Sequence, residues 1–164
     1  MLRSLVGSEM CIRDRAYRLG NRCFSGDVGG TRLLNRPLID IPAAPPEFNL
    51  PVWLKSVQRL KNYGFDELYP THFGGIYGAE NVAAHLNELA DFIPTMAGLI
   101  RAEMEAGRDR DQIVETYIAW QTARAKAAGF SDEDVHRYMT STPPDMSVDG
   151  VRRYWTKLWE TDGQ

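Results

Sequence analysis

Apolar and polar positions divide the chain into a short, glycine-broken front and a long helical back. From Val82, apolar residues recur every three or four positions through Leu86, Leu89, Ile93, Met96, Ile100 and Met104, up to Gly107. That spacing lays one apolar stripe along a helix, and Pro94 within it predicts a kink. Asp109 followed by Gln112 is a capping-box pattern, so a second helix is expected there, carrying Ile113, Tyr117 and Trp120 and stopping at Gly129. Ser131 is expected to cap a short helix with Val135, Tyr138 and Met139. Val151, Tyr154, Trp155, Leu158 and Trp159 stripe the last one. Upstream, Asn49 reads as an N-cap with Pro51 in the first turn. The helix it opens turns Trp53, Leu54, Val57 and Leu60 inward and Lys55, Arg59 and Lys61 outward, and ends at Gly64.

The front reads as strand and loop. Two short runs flank Gly20-Asn21, a two-residue hairpin signal, and the second run is expected to end on Asp27 within "SGDVGG". Pro37, Pro42, Pro45, Pro46 and Pro51 then exclude regular structure over most of the next stretch. A further short run leads to His72, just after it, and a loop that Gly74, Gly75 and Gly78 are expected to make mobile. No internal repeat or low-complexity tract is present.

A length of 164 residues predicts one domain, and 43% apolar residues suit a folded chain. A net charge of -3, without a basic cluster interleaved with aromatics, argues against nucleic acid as a partner. No apolar run is long enough to span a bilayer, so no membrane association is expected.

Residues 1–15 stand apart. "LVGSEMCIRD" is too short in its apolar part, and too broken by Glu9, for a signal peptide. It resembles a translated sequencing adapter: ATG TGT ATA AGA GAC AG reads Met10 to Asp14 and the start of Arg15, and CTC GTG GGC TCG GAG reads Leu5 to Glu9 in the same frame. Natural sequence is therefore expected to start near Ala16, with an N-terminal part missing. Removing Cys11 with this segment leaves Cys23 alone, which excludes an intrachain disulfide or a thiolate metal cage and makes a cytoplasmic setting the expectation.

Two places could carry chemistry. Asp27 in "SGDVGG" and His72 in "YPTHFGG" each stand at the end of a strand-like run and are followed by glycines. Asp27 offers two carboxylate oxygens, able to bridge two cations about 3.5–4 Å apart. His72 offers one neutral nitrogen suited to zinc at about 2.0–2.1 Å. The competing readings of Asp27 are an ordinary turn residue and a phosphate loop. A phosphate loop lacks the Lys-Ser/Thr pair and the following helix that it needs. His85 and His136 fall in helical patterns as packed or surface residues, with no ligand role. Cys23 reads as a small core residue, and Trp120, Trp155 and Trp159 as core. Tyr77 is the candidate for the rim of a substrate pocket.

"SGDVGG", a proline-rich loop, "WLKSVQRL" and "LYPTHFGG", in that order, resemble the C-terminal half of a metallo-β-lactamase-fold hydrolase of the glyoxalase II-like branch, over roughly residues 16 to 92. The resemblance implies an α/β fold: an incomplete αββα sandwich, second half only, across 16–106, followed by a helical extension across 107–164. It implies that Asp27 bridges two divalent metal ions and that His72 closes the second metal site. The ions would be zinc, with iron or manganese also accepted. It further implies a metal-bound hydroxide acting on a small-molecule ester, thioester, lactam or phosphoester, with glycines that let the backbone pass close to the metals.

The family's H-x-H-x-D-H box is missing, because the chain's histidines are His72, His85 and His136. A zinc site normally needs three protein ligands, so the chain is expected to be an inactive, weakly metal-binding fragment of a hydrolase, with a tendency to aggregate through uncovered strand faces. The alternatives are a non-haem iron redox enzyme on the same fold and a non-catalytic helical interaction module with residues 79–164 as its body.

Overall fold

The structure is a computed structural model that describes residues 3–6, 16–32, 38–72 and 74–162. Of the adapter-like segment, Arg3–Val6 are described and form β1; the rest of it lies outside the described residues. β1 pairs antiparallel with β2 (Ala16–Leu19). The expected hairpin follows: Gly20, at φ 60°, turns the chain into β3 (Arg22–Arg32), with Leu19 opposite Arg22 and Tyr17 opposite Phe24. The proline-rich stretch is irregular except for β4 (Ile39–Asp40), which returns antiparallel onto the end of β3, with Thr31 opposite Asp40.

α1 (Leu50–Tyr63) opens directly after Asn49, buries Trp53, Ser56, Val57 and Leu60, and gives way at Gly64, whose φ of 62° suits a residue without a side chain. It carries the chain over to β5 (Glu67–His72), which lies parallel to β3, and β6 (Ile76–Tyr77) turns back antiparallel. Among the described residues the sheet has six strands in the order β1-β2-β3-β5-β6, with β4 attached to β3. The protein is therefore α/β, built around a strand–helix–strand crossover.

α2 (Ala79–Glu105) is one helix with Pro94 inside it. The chain forms two compact units, Met1–Ile41 with Pro51–Ile93 and Pro42–Leu50 with Pro94–Gln164, so the division falls at Pro94 within this helix. In the first unit, Cys23 and Leu68 on the sheet are fully buried, as are Leu60 of α1 and Leu89 of α2. Alternation along the strands sends Tyr17, Phe24 and Tyr69 to the opposite face, side by side across β2, β3 and β5. Phe24 stacks on Tyr69 at 5.1 Å between ring centroids, and Tyr77 meets Tyr69 edge-on at 5.9 Å.

The second unit adds α3 (Arg110–Ala127), α4 (Asp132–Ser141) and α5 (Pro144–Asp162). Asp109 and Gln112 close the expected capping box, and Ser131 forms another with Asp134. Ile113 and Tyr117 of α3, Val135 and Tyr138 of α4, and Val151 and Trp155 of α5 are buried. Trp155 donates its indole N–H to the Ala97 carbonyl at 2.9 Å, so this tryptophan is a core residue with its one polar atom satisfied. Trp120 and Trp159 are half-buried. The 42–50 segment runs hard against α5: a Cβ on Gly150 would lie 1.8 Å from the Ala43 carbonyl oxygen. Arg110 clamps Asp149 with two hydrogen bonds of 2.8 Å, tying α3 to α5.

Candidate metal centre

β3 does not end on Asp27. It runs on to Arg32, and Asp27 lies inside the strand rather than in a turn or before a helix. Neither a turn aspartate nor a phosphate loop describes this geometry. The reason is the pairing with β5. Phe24 is opposite Tyr69 and Gly26 opposite Pro70, but the next matched pair is Thr31 with His72. Between the last two pairs β3 spends five residue steps where β5 spends two, so Asp27 to Gly30 make an excursion from the ladder.

Glycines bracket that excursion. Gly26 at φ 60° and Gly30 at φ 71° occupy backbone conformations that side chains disfavour. Gly29 is needed for space, because a Cβ there would fall 2.0 Å from the Ser25 hydroxyl oxygen. At Gly30 it would meet the Asp40 carbonyl oxygen and the Leu89 side chain, both at 3.0 Å. The close approaches that the glycines permit are thus to Ser25, β4 and α2.

The excursion and the end of β5 bring Asp27 and His72 together. His72 Nε2 stands 3.5 Å from Asp27 Oδ1. Asp27 is buried at 8% exposure, while the His72 side chain keeps 41% of its surface. Among the described residues Asp27 Oδ1 has no hydrogen-bond partner. A charge-assisted N–H···O contact closes to about 2.7–2.9 Å, so the pair is too far apart for that bond. Two ligands bonded at about 2.0–2.1 Å to one tetrahedral zinc are separated by about 3.3–3.4 Å, which is close to the spacing seen. An imidazole nitrogen and a carboxylate oxygen are also donors that zinc, iron and manganese accept. This pair supplies two donors, and no group of three or more His, Cys, Asp or Glu able to hold a metal occurs among the described residues.

The other candidates are not at this place. Tyr77 pairs with Glu67, at the opposite end of β5 from His72, and is exposed on β6. It lies in a strand next to Tyr69, not in the loop that follows His72. Tyr69 donates its hydroxyl to Glu67 at 2.5 Å, which pushes the phenol up to about 12 and holds the Glu67 carboxyl below its usual range. His136 is exposed on α4. Cys23 is fully buried, and the loss of solvent pushes its thiol up to about 12, an inert core position.

His85 is a packed residue of α2, one of the two places its helical pattern allowed. It is 2% exposed, and its Nε2 lies 2.8 Å from the carbonyl oxygen of Gly29, in the excursion itself. A carbonyl only accepts, so Nε2 carries the proton. Burial pulls the imidazole down to about 4, against the opposing pull of the Gly29 hydrogen bond, and Arg32 adds to the lowering. The available signal was positional: His85 falls on the same helical stripe as Val82 and Leu89.

No model of a known protein family matches the chain, and no curated protein sequence matches it either.

Proposed function

We propose that Asp27 and His72 are two ligands of a divalent-metal centre, and that the chain is the second half of a metal-dependent hydrolase of the metallo-β-lactamase fold. The observation that carries this reading is the 3.5 Å separation of His72 Nε2 from a buried Asp27 oxygen without a hydrogen-bond partner among the described residues. The ordered likeness of "SGDVGG", "WLKSVQRL" and "LYPTHFGG" to that family supports it. So does the α/β frame, in which a parallel strand pair delivers both side chains.

Bound there, a divalent cation such as zinc would supply Lewis acidity and lower the pKa of a water ligand toward ~7, the chemistry needed to cleave an ester, thioester, lactam or phosphoester. The chain's own part is to hold the donors. The excursion of β3 keeps the Asp27 carboxylate largely away from solvent, and the last residue of β5 presents the His72 imidazole at a more open position. Zinc normally takes three protein ligands at a catalytic site, so a centre here needs at least one donor besides Asp27 and His72, and weak metal affinity is expected for this chain.

The test is a zinc titration of the full chain followed by the imidazole nitrogen resonances. Zinc is expected to shift the His72 signals while leaving those of His136 in place, and Asp27→Ala is expected to abolish the shift. Equal shifts at His72 and His136, or unchanged binding in Asp27→Ala, would overturn the reading.

A further inference from the structure

We infer that His85 is a positioning residue for Asp27: it holds the excursion of β3 in place from α2 and so sets where the carboxylate stands. The inference rests on the metal-ligand reading of Asp27, and it assigns the adjustment of that ligand to a residue 58 positions away in the chain.

Residues in a regular strand are held by hydrogen bonds to their neighbours on both sides. Between Gly26 and Thr31 the register with β5 shifts, so pairing is irregular around Asp27 and a contact from another element helps to fix this backbone. α2 provides it at two successive positions of one helical face. His85 donates to the Gly29 carbonyl, and Leu89, one turn on, packs on Gly30.

The bond is buried and involves a neutral ring, so water does not compete for it. Gly29 is two residues from Asp27, and Gly26 and Gly30 adopt left-handed conformations at either end. A backbone segment pinned at its far end by a side chain has few ways to turn its carboxylate. The other ring nitrogen, Nδ1, is buried with no partner among the described residues. The bond to Gly29 is therefore the ring's one hydrogen bond among the described residues, and an apolar residue in the same space would lose it.

The test uses the full chain with zinc as the probe, in wild type, His85→Gln, His85→Leu and Asp27→Ala. Glutamine places an amide N–H where Nε2 stood, and leucine fills the space without a donor. His85→Leu is expected to weaken zinc binding at His72 by about 10–100-fold, the usual effect of removing a residue that orients a ligand. His85→Gln should restore it to near the wild-type value. The carboxyl carbon resonance of Asp27, read without metal, should move in His85→Leu and return in His85→Gln, a response that loss of core packing alone would not produce. Wild-type zinc affinity in a folded His85→Leu overturns this inference and leaves the metal reading standing. Unchanged zinc binding in Asp27→Ala overturns both. Should His85→Leu fail to fold, the tautomer in wild type decides: a proton on Nδ1 instead of Nε2 removes the bond on which the inference rests.

Discussion

His72 Nε2 faces Asp27 Oδ1 across 3.5 Å, although the two residues are 45 positions apart and sit on different strands. The parallel pairing of β3 with β5 makes this possible. It matches His72 with Thr31, while the excursion between Gly26 and Thr31 brings Asp27 back within reach. At that distance Asp27 Oδ1 has no hydrogen-bond partner among the described residues, and a buried carboxylate oxygen without one is costly.

A burial without compensation should be relieved by removing the charge. At pH 8 and without metal, Asp27→Asn is expected to raise the stability of the chain by about 1 kcal/mol, a shift of about 2–4 °C in Tm. It should also lose whatever stabilisation zinc brings to the wild type. Thermal melts with and without zinc read both effects. A lower Tm for Asp27→Asn would mean that the carboxylate is a structural anchor.

His85 predicts a specific acid sensitivity. Folding pulls its imidazole down from 6.5 to about 4, so the unfolded chain binds the proton first. The associated stability is complete above about pH 6.5 and is lost as the pH falls toward about 4, reaching about 3 kcal/mol in total. Urea unfolding at pH 7.5, 5.5 and 4.5 should show this decline in wild type and a shallower one in His85→Gln. Parallel declines in the two proteins would place the acid sensitivity elsewhere.

Two helical glycines should respond in opposite directions. A methyl on Gly150 would press into the Ala43 backbone, and nothing lies within 4 Å of the corresponding position on Gly98. Gly150→Ala is expected to cost about 1–3 kcal/mol through overpacking, or more because the obstacle is main chain. Gly98→Ala is expected to stabilise by about 0.5–1 kcal/mol through helix propensity. Paired melts test the contrast, and equal effects at the two sites would contradict the close approach at Ala43.

The aromatic row on the sheet should be the adhesive part of the first unit. Phe24 and Tyr77 are 40% and 59% exposed beside Tyr69. Contiguous apolar surface of this kind binds dyes and partners. Phe24→Ser combined with Tyr77→Ser is expected to reduce dye fluorescence and concentration-dependent self-association, with the helical circular dichroism retained. Self-association at the parent level in that double variant would exclude this face as its source.

Local signals in the sequence determined much of this protein. The capping pairs at Asp109 and Ser131, the stripe from Val82 to Ile100, the Gly20-Asn21 turn and the stop at Gly64 act through contacts a few residues long, so each could be read where it stands. Tertiary structure decided what depends on register. Asp27 was expected at the end of a run because glycines usually end strands, yet the pairing with β5 carries β3 on to Arg32. Gly30 gives clearance to Asp40 and Leu89, and Gly29 to Ser25, rather than ending the strand. His85 could be placed on a buried face from its spacing, but only the packing of α2 on β3 shows which carbonyl it holds. Periodicity records which side of an element is buried. What stands opposite that side is set by strand pairing and helix docking, which no short stretch of sequence contains.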